Sequence, residues 1–357
     1  MPPFPESRLT RRRFLGGAVA AAALSILPRD SFAGEEPKLN FYNWDDYIGE
    51  TTLADFKGRT GITVRLDLFV DNGELFARLK AGNPGYDVIV PTNDFLERMI
   101  AHDMLMPLDH AAIPNMANIE PAFRDAAFDP GRRHSVPYLW GTMGIGYRKS
   151  RCDGIPDSWR WLYQSDRYSG RGALLSDAGS VLGAAFKYLG HPLNTADPRI
   201  IKMAEDLIIA QKPHLKRFAP DTGQDLLLSG EVDIVMEWNG DILQAMEEDD
   251  DIAYVVPREG SAVWEDVLAI PRGAPHPGNA HAFMNFILEA HVGAAIADAV
   301  RYATPNAAAK ALLPPSYRED PVIFPSEATL KTCEPGRYAG PETARLYDAA
   351  WTRIQAA

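Results

Sequence analysis

An alternation of strands and helices that runs, breaks and restarts predicts an α/β protein of two lobes, each an open parallel sheet with helices on both faces. Three observations carry that expectation. Between Lys38 and Ala101, strand-like runs and helix-like runs take turns in the order β-α-β-α-β-α. A second series begins after the segment Tyr138–Tyr147. The 324 residues beyond position 33 exceed what one small core normally serves.

The elements follow in order. Lys38–Asn43 reads as a strand. Thr51–Thr60, with Leu53 and Phe56 on one face and Gly61 behind it, reads as a helix with its stop signal. Ile62–Leu68 alternates, as a strand with one buried face does. A helix from Gly73 to Ala81 ends at Gly82, and Tyr86–Val90 is an apolar run suited to a buried parallel strand. Thr92 is placed to cap a helix over Asp94–Ala101. In the second series Gly172–Leu175 and Val232–Met236 read as strands, with helices at Val181–Leu189 and Lys202–Ala210. A strand at Val267–Ile270 leads into helices at Asn279–Glu289 and Val292–Ala299, and the Pro-rich passage Thr304–Pro315 reads as a connection.

Residues 1–33 read as an export address. Arg11-Arg12-Arg13-Phe14-Leu15 supplies a twin arginine, Gly16–Leu27 a short apolar stretch, and Ser31-Phe32-Ala33 a small-x-small cleavage site. The apolar stretch has 12 residues, against the roughly 20 a membrane span needs. Cleavage would remove five basic and two acidic residues, moving the net charge from −12 to −15. So acidic a surface repels nucleic acid and anionic lipid and attracts cations; it also serves plain solubility. Cys152 and Cys333 are too few and too far apart in sequence for a zinc site, and an oxidising compartment would permit them to pair. No metal or cofactor is expected.

In open α/β sheets, ligands bind beyond the carboxyl ends of the strands. Trp44-Asp45-Asp46-Tyr47 follows the first strand, Thr92-Asn93-Asp94 the third, and Ser176-Asp177 the strand at 172–175. Trp238-Asn239-Gly240-Asp241 lies past the strand at 232–236, and Trp264-Glu265-Asp266 precedes another strand. Aromatic rings and carboxylates recur together. That pairing suits a protonated amine, which takes carboxylates for its charge and aromatic faces for its charge and methylenes, each cation–ring contact contributing about 0.5–2 kcal/mol. Each element also has a bland reading: a Trp is often core, and Asp45, Asp94 and Asp177 suit helix N-caps.

Seven segments then fit one family in order: Asn43-Trp44-Asp45-Asp46-Tyr47, Thr60-Gly61-Ile62-Thr63-Val64, Tyr86–Pro91, Pro137-Tyr138-Leu139-Trp140-Gly141, Trp238-Asn239-Gly240, Trp264–Pro271 and Tyr302-Ala303-Thr304-Pro305-Asn306. Over nearly all of the chain beyond residue 33 they resemble the spermidine/putrescine-binding periplasmic proteins of polyamine ABC transporters. The resemblance implies the type II periplasmic-binding-protein fold, with 38–142 and 267–311 forming an N-terminal lobe, 146–263 and 315–357 a C-terminal lobe, and hinge strands between. It implies a binding protein and not an enzyme, with an organic amine as ligand and inner-membrane ABC permease subunits as partners; a periplasmic monomer is expected.

Carried over position by position, the family's ligand walls fall on Trp44, Tyr47, Trp238, Trp264 and Tyr302, and its amine-binding carboxylates on Asp177 and Asp266. Asp241 and Asp46 match acids used in some members, and Thr92 takes the place of a hydrogen-bonding Ser. Three positions depart: Ser180 stands where a Glu is common, Arg337 aligns with a ligand-contacting Gln, and Asp94 replaces a Tyr or small residue. A missing acid and an added arginine raise a zwitterion, such as an ω-amino acid, as the competing ligand.

Other classes lack their signatures. The chain has no His-Glu-x-x-His, Gly-x-Ser-x-Gly or P-loop motif, and its eight histidines show no ligand spacing. Gly141-x-x-Gly144-x-Gly146 lacks the dinucleotide fingerprint, and no Tyr-Tyr pair suggests a ferric receptor. A sensor would use the same lobe closure as a transporter.

Overall fold

The computed structural model describes residues 34–357; the twin-arginine segment read in residues 1–33 lies outside the described residues. In chain order the elements are β1 (Lys38–Asn43), α1 (Thr52–Thr60), β2 (Thr63–Leu68), α2 (Asn72–Lys80), β3 (Val88–Ile89) and α3 (Asn93–Ala101). Next come β4 (Ser135–Arg148), α4 (Arg160–Tyr163), β5 (Gly172–Leu175), α5 (Ala178–Tyr188), α6 (Pro198–Gln211), β6 (Leu215–Ala219), α7 (Gly223–Leu228), β7 (Ile234–Trp238), α8 (Asn239–Glu248), β8 (Ile252–Val255) and β9 (Ala262–Ala269). The chain finishes with α9 (Pro277–Ile287), α10 (Ala290–Val300), the short helices α11 (Ala307–Lys310), α12 (Pro315–Arg318) and α13 (Glu327–Leu330), then β10 (Glu334–Pro335) and α14 (Gly340–Ala356).

The strand order β2-β1-β3-β9-β4-β7-β5-β6 contains two parallel trios, β2-β1-β3 and β7-β5-β6, separated by β9 and β4. β4 is antiparallel to β9 along Ser135–Thr142 and to β7 and β8 along Met143–Arg148. One strand therefore belongs to both halves. Its side chains divide accordingly. Val136, Tyr138 and Leu139 join the core built around β1, β3 and α9, while Met143, Ile145 and Tyr147 join the core built around β5, α5 and α6.

The local chemistry explains the elements that carry the site. Asp71 caps α2 by accepting from the Glu74 amide, and Asp177 caps α5 by accepting from the Ser180 amide at 2.7 Å. α1 stops at Gly61 in the left-handed region, as its sequence predicts. The strand expected at Val267–Ile270 is the end of the longer β9, so Trp264 and Asp266 lie within a strand and, two residues apart, on one face of it. The Pro-rich stretch from Thr304 holds one short helix and the start of another. Cys152 and Cys333 are both free. Among the described residues no single helix is long and apolar enough to cross a membrane.

Candidate functional site

Trp264 and Asp266 on β9 are the centre of the site. Opposite Trp264 on β4 is Gly141, where a Cβ would stand 2.6 Å from the indole and 2.2 Å from Asn239 Oδ1. Only glycine lets the ring lie that close to the strand. Trp264 is 8% exposed, and its Nε1 has no hydrogen-bond partner. Its ring meets Trp238 edge-on at 6.0 Å and Tyr302 at 5.0 Å. Gly240, in the first turn of α8, plays for Tyr302 the part Gly141 plays for Trp264: a Cβ there would sit 2.4 Å from the phenol ring.

Tyr47 completes the aromatic wall, 5.7 Å from Tyr302. Its carbonyl accepts from Asn43 Nδ2 at 2.9 Å and from the Tyr138 hydroxyl at 2.7 Å, which fixes the turn after β1. Its own hydroxyl faces the Asp266 carboxylate, yet neither that hydroxyl nor Asp266 Oδ1 completes a hydrogen bond of good geometry within the protein. Unpaired buried polar atoms of this kind are uncommon in folded proteins.

A cavity of about 210 Å³ opens beside these rings. Thr92, Asp94, Asp177, Ser180, Trp238, Trp264 and Arg337 all line it. Thr92 bridges to Asp266 across β9 and hydrogen-bonds Asn72 through both its amide and its hydroxyl. Buried Asn93 ties the wall together, donating to the Gly336 carbonyl at 2.6 Å and accepting from the Glu265 amide. Arg337 reaches the cavity wall, but its guanidinium is held by Glu97 through hydrogen bonds of 2.7 and 3.0 Å.

The electrostatics are one-sided. Burial, reinforced by the charge of Asp177, pushes Asp94 up to about 7. Burial also pushes Asp266 up to about 7, with Asp94 and Asp221 adding to the shift and Thr92 and Tyr47 opposing it. Asp241 is raised well above the usual carboxylate range by burial and then by Asp221. Among the described residues, Asp94, Asp177, Asp241 and Asp266 are not engaged in any salt bridge with a basic side chain. The opposite face of β9 differs: Glu265, also pushed up to about 7 by burial, stands 2.6 Å from the buried Arg132.

The remaining candidates sit apart from this group. Trp44 packs on Phe69 at 4.4 Å and donates to the Val90 carbonyl. Asp45 and Asp46 lie on an exposed turn, where the Asp46 amide donates to Asp45 Oδ1. Two acids that sequence reasoning did not single out join Asp241. Asp221 follows β6, and Glu237, fully buried, is the penultimate residue of β7. The three carboxylates approach within 4.8 Å of one another and are the group among the described residues able by distance to hold a metal ion. The signal for Asp221 was the carboxyl end of β6; for Glu237 it was an acid inside an apolar strand.

Two α/β halves, a strand shared between them and a ring-and-carboxylate cleft define a two-lobed solute-binding protein. Residues 51–325 match the family model described as Bacterial extracellular solute-binding protein. The putrescine-binding periplasmic protein SpuD of Pseudomonas aeruginosa is 33% identical, covering 96% of each chain. The spermidine/putrescine-binding periplasmic protein of Escherichia coli is 32% identical over 95% of this chain and 97% of its own. Among solved structures, the spermidine/putrescine ABC transporter substrate-binding protein PotD of Streptococcus pneumoniae superposes with a TM-score of 0.78 at 33% identity, covering 89% of this chain and 98% of that one. The chain belongs to the bacterial extracellular solute-binding proteins and, within them, to the spermidine/putrescine-binding periplasmic group.

Proposed function

We propose that this protein captures a polyamine, putrescine or spermidine, or a closely related organic amine, in the cleft between its lobes and delivers it to the permease of an ABC importer. The observation that carries this reading is the set Asp94, Asp266 and Asp241, one buried and two half-buried carboxylates near Trp238, Trp264 and Tyr302, none of them salt-bridged to a basic side chain among the described residues. Buried carboxylates left without a counter-charge are costly. A diamine supplies two counter-charges, and its methylenes cover the indole faces. The names of the relatives agree with that chemistry.

Residues 38–142 with 267–311 form one lobe and 146–263 with 315–357 the other, and closure about β4 and β9 traps the ligand. Trp44, Asp45, Asp46 and Ser180 contribute at the rim in the closed form. The protein works as a monomer, without catalysis, after export through the twin-arginine route directed by residues 11–15. A zwitterionic ligand loses its main support because the Arg337 guanidinium is already paired with Glu97.

Three of the seven tryptophans, Trp44, Trp238 and Trp264, are assigned to the cleft. Titration with putrescine or spermidine should therefore change the intrinsic fluorescence saturably. A spectrum unmoved by either amine at millimolar concentration argues against the assignment.

A further inference from the structure

The ladder that holds β9 is interrupted beside its ligand-facing residues. β4 pairs Pro137 with Val267 and Leu139 with Asp266, so Tyr138 is a bulge residue standing opposite the junction of Asp266 and Val267. A bulge breaks the regular hydrogen bonding and increases the local twist. The sheet alone therefore does not fix the rotation of β9 at Asp266. Strand alternation puts Glu265 on the face opposite Trp264 and Asp266. Whatever grips Glu265 sets the direction of both its neighbours.

Arg132 grips it from behind. Its side chain is fully buried, Nη2 stands 2.6 Å from Glu265 Oε1, and Nε donates to the Phe123 carbonyl at 2.8 Å. Phe123 belongs to a strap that also holds the Tyr302 segment: Ile119 bridges to Asn306, and the Glu120 amide donates to the Pro305 carbonyl at 2.9 Å. Arg132 thus joins the two stretches of chain that bear Trp264, Asp266 and Tyr302. The arrangement is costly. Arg132 has a left-handed backbone, with φ of 51°. Among the described residues, Arg132 Nη1 and Nη2 and Glu265 Oε1 complete no hydrogen bond. An apolar pair in the same space would avoid burying two charges, so stability alone gives no reason to keep the ions.

We infer that Arg132 is a positioning residue for ligand binding: by clasping Glu265 against the Phe123 carbonyl, it fixes the rotation of β9 at the bulge and with it the aim of Trp264 and Asp266. The Glu265 amide is held as well, by Asn93 Oδ1 at 3.1 Å, so the residue is gripped through both its backbone and its side chain. Arg132 itself lies behind the cleft and acts only through Glu265. The inference rests on the amine reading of the cleft for its probe, putrescine.

The test is isothermal titration with putrescine, well below melting, on the parent, Arg132→Lys and the double variant Arg132→Met/Glu265→Leu, with a ligand-free melting curve for each. Replacing both ions by apolar side chains should leave the melting temperature within about 5 °C of the parent's or above it. Putrescine should nevertheless bind the double variant about 10-fold more weakly, because β9 has lost its grip at the bulge. A purely structural pair would leave affinity untouched once melting is restored. Arg132→Lys keeps the charge, but one ammonium cannot serve Glu265 and the Phe123 carbonyl as the guanidinium fork does, so its affinity should fall between the other two. A double variant that melts like the parent and binds putrescine equally well refutes the clasp and leaves the polyamine reading standing. If the double variant melts far below the parent, Arg132→Lys decides, and parental affinity there refutes the clasp. A parent that binds no amine overturns the polyamine reading and this inference with it.

Discussion

The guanidinium of Arg337 closes on the carboxylate of Glu97 through two hydrogen bonds, and Glu97 Oε2 also accepts from the Tyr338 amide. Together with the bond from Asn93 to the Gly336 carbonyl, this fastens the segment 336–338 to α3. The arginine that raised the prospect of an anionic ligand group is neutralised within the protein. Arg337→Ala should therefore leave putrescine affinity within about threefold of the parent. Glu97→Ala, which leaves an unpaired cation at the cavity wall, should weaken putrescine by about 3- to 10-fold at low salt and less at high salt. Titration at two ionic strengths checks both.

The two glycines beneath the aromatic wall predict an effect without touching a ligand-binding side chain. Gly240→Ala would force its methyl against the Tyr302 ring. The ring must move, and amine affinity should fall by about 10-fold or more while far-ultraviolet circular dichroism is unchanged. Trp264→Ala, which removes the central ring, should do at least as much. Binding constants for both variants check this.

Proton linkage gives a third prediction. Asp94 and Asp266 are raised to about 7 in the folded protein, whereas an unfolded aspartate titrates near 4. The folded state then binds more protons than the unfolded between about pH 4 and 7, so these groups make stability fall as pH rises through that window. Asp197, depressed to about 2 by its bond to Arg199, acts in the opposite sense and only at lower pH. The ligand-free melting temperature should drop from pH 5 to pH 8, and the thermal shift given by putrescine should grow over the same range. A differential scanning series with and without putrescine measures both.

Arg132 and Glu265 form a pair buried behind the site, with side-chain exposures of 1% and 12%. Arg132 also lies over the Phe128 ring at 5.0 Å and donates to the Phe123 carbonyl. Arg132→Met should destabilise the protein by about 3–5 kcal/mol, because Glu265 is left charged or protonated in a buried place. Glu265→Gln should soften that loss in the double variant. Denaturant melts of the single and double variants check it.

Much of this arrangement was legible in the residues. The strand-end rule anticipates Trp238, the last residue of β7; Trp264 and Asp266 lie inside β9 and Tyr302 follows α10, so the family resemblance, not that rule, points to Tyr302. The cap role of Asp177 was legible too, since an Asp after a strand and before a helix satisfies open amides. What escaped has physical causes. β6 is an edge strand whose centre is the exposed pair Lys216 and Arg217, so it lacks an apolar signature, and Asp221 at its end went unnoticed. Glu237 looks misplaced in Ile234–Trp238 until Gly223, distant in sequence, supplies its amide. Arg337 and Glu97 are 240 residues apart, and only folding pairs them. β4 carries no polar alternation to mark it as a strand, because it is buried along nearly its whole length.

The central claim is that the uncompensated carboxylates of the cleft await a cation. Isothermal titration of the same preparation with putrescine, spermidine and 4-aminobutyrate at pH 8, in two buffers of different ionisation enthalpy, tests it most directly. The account predicts saturable binding of at least one polyamine, release of protons on binding, and a weaker or absent response to 4-aminobutyrate. Binding of 4-aminobutyrate with neither polyamine producing heat would contradict it.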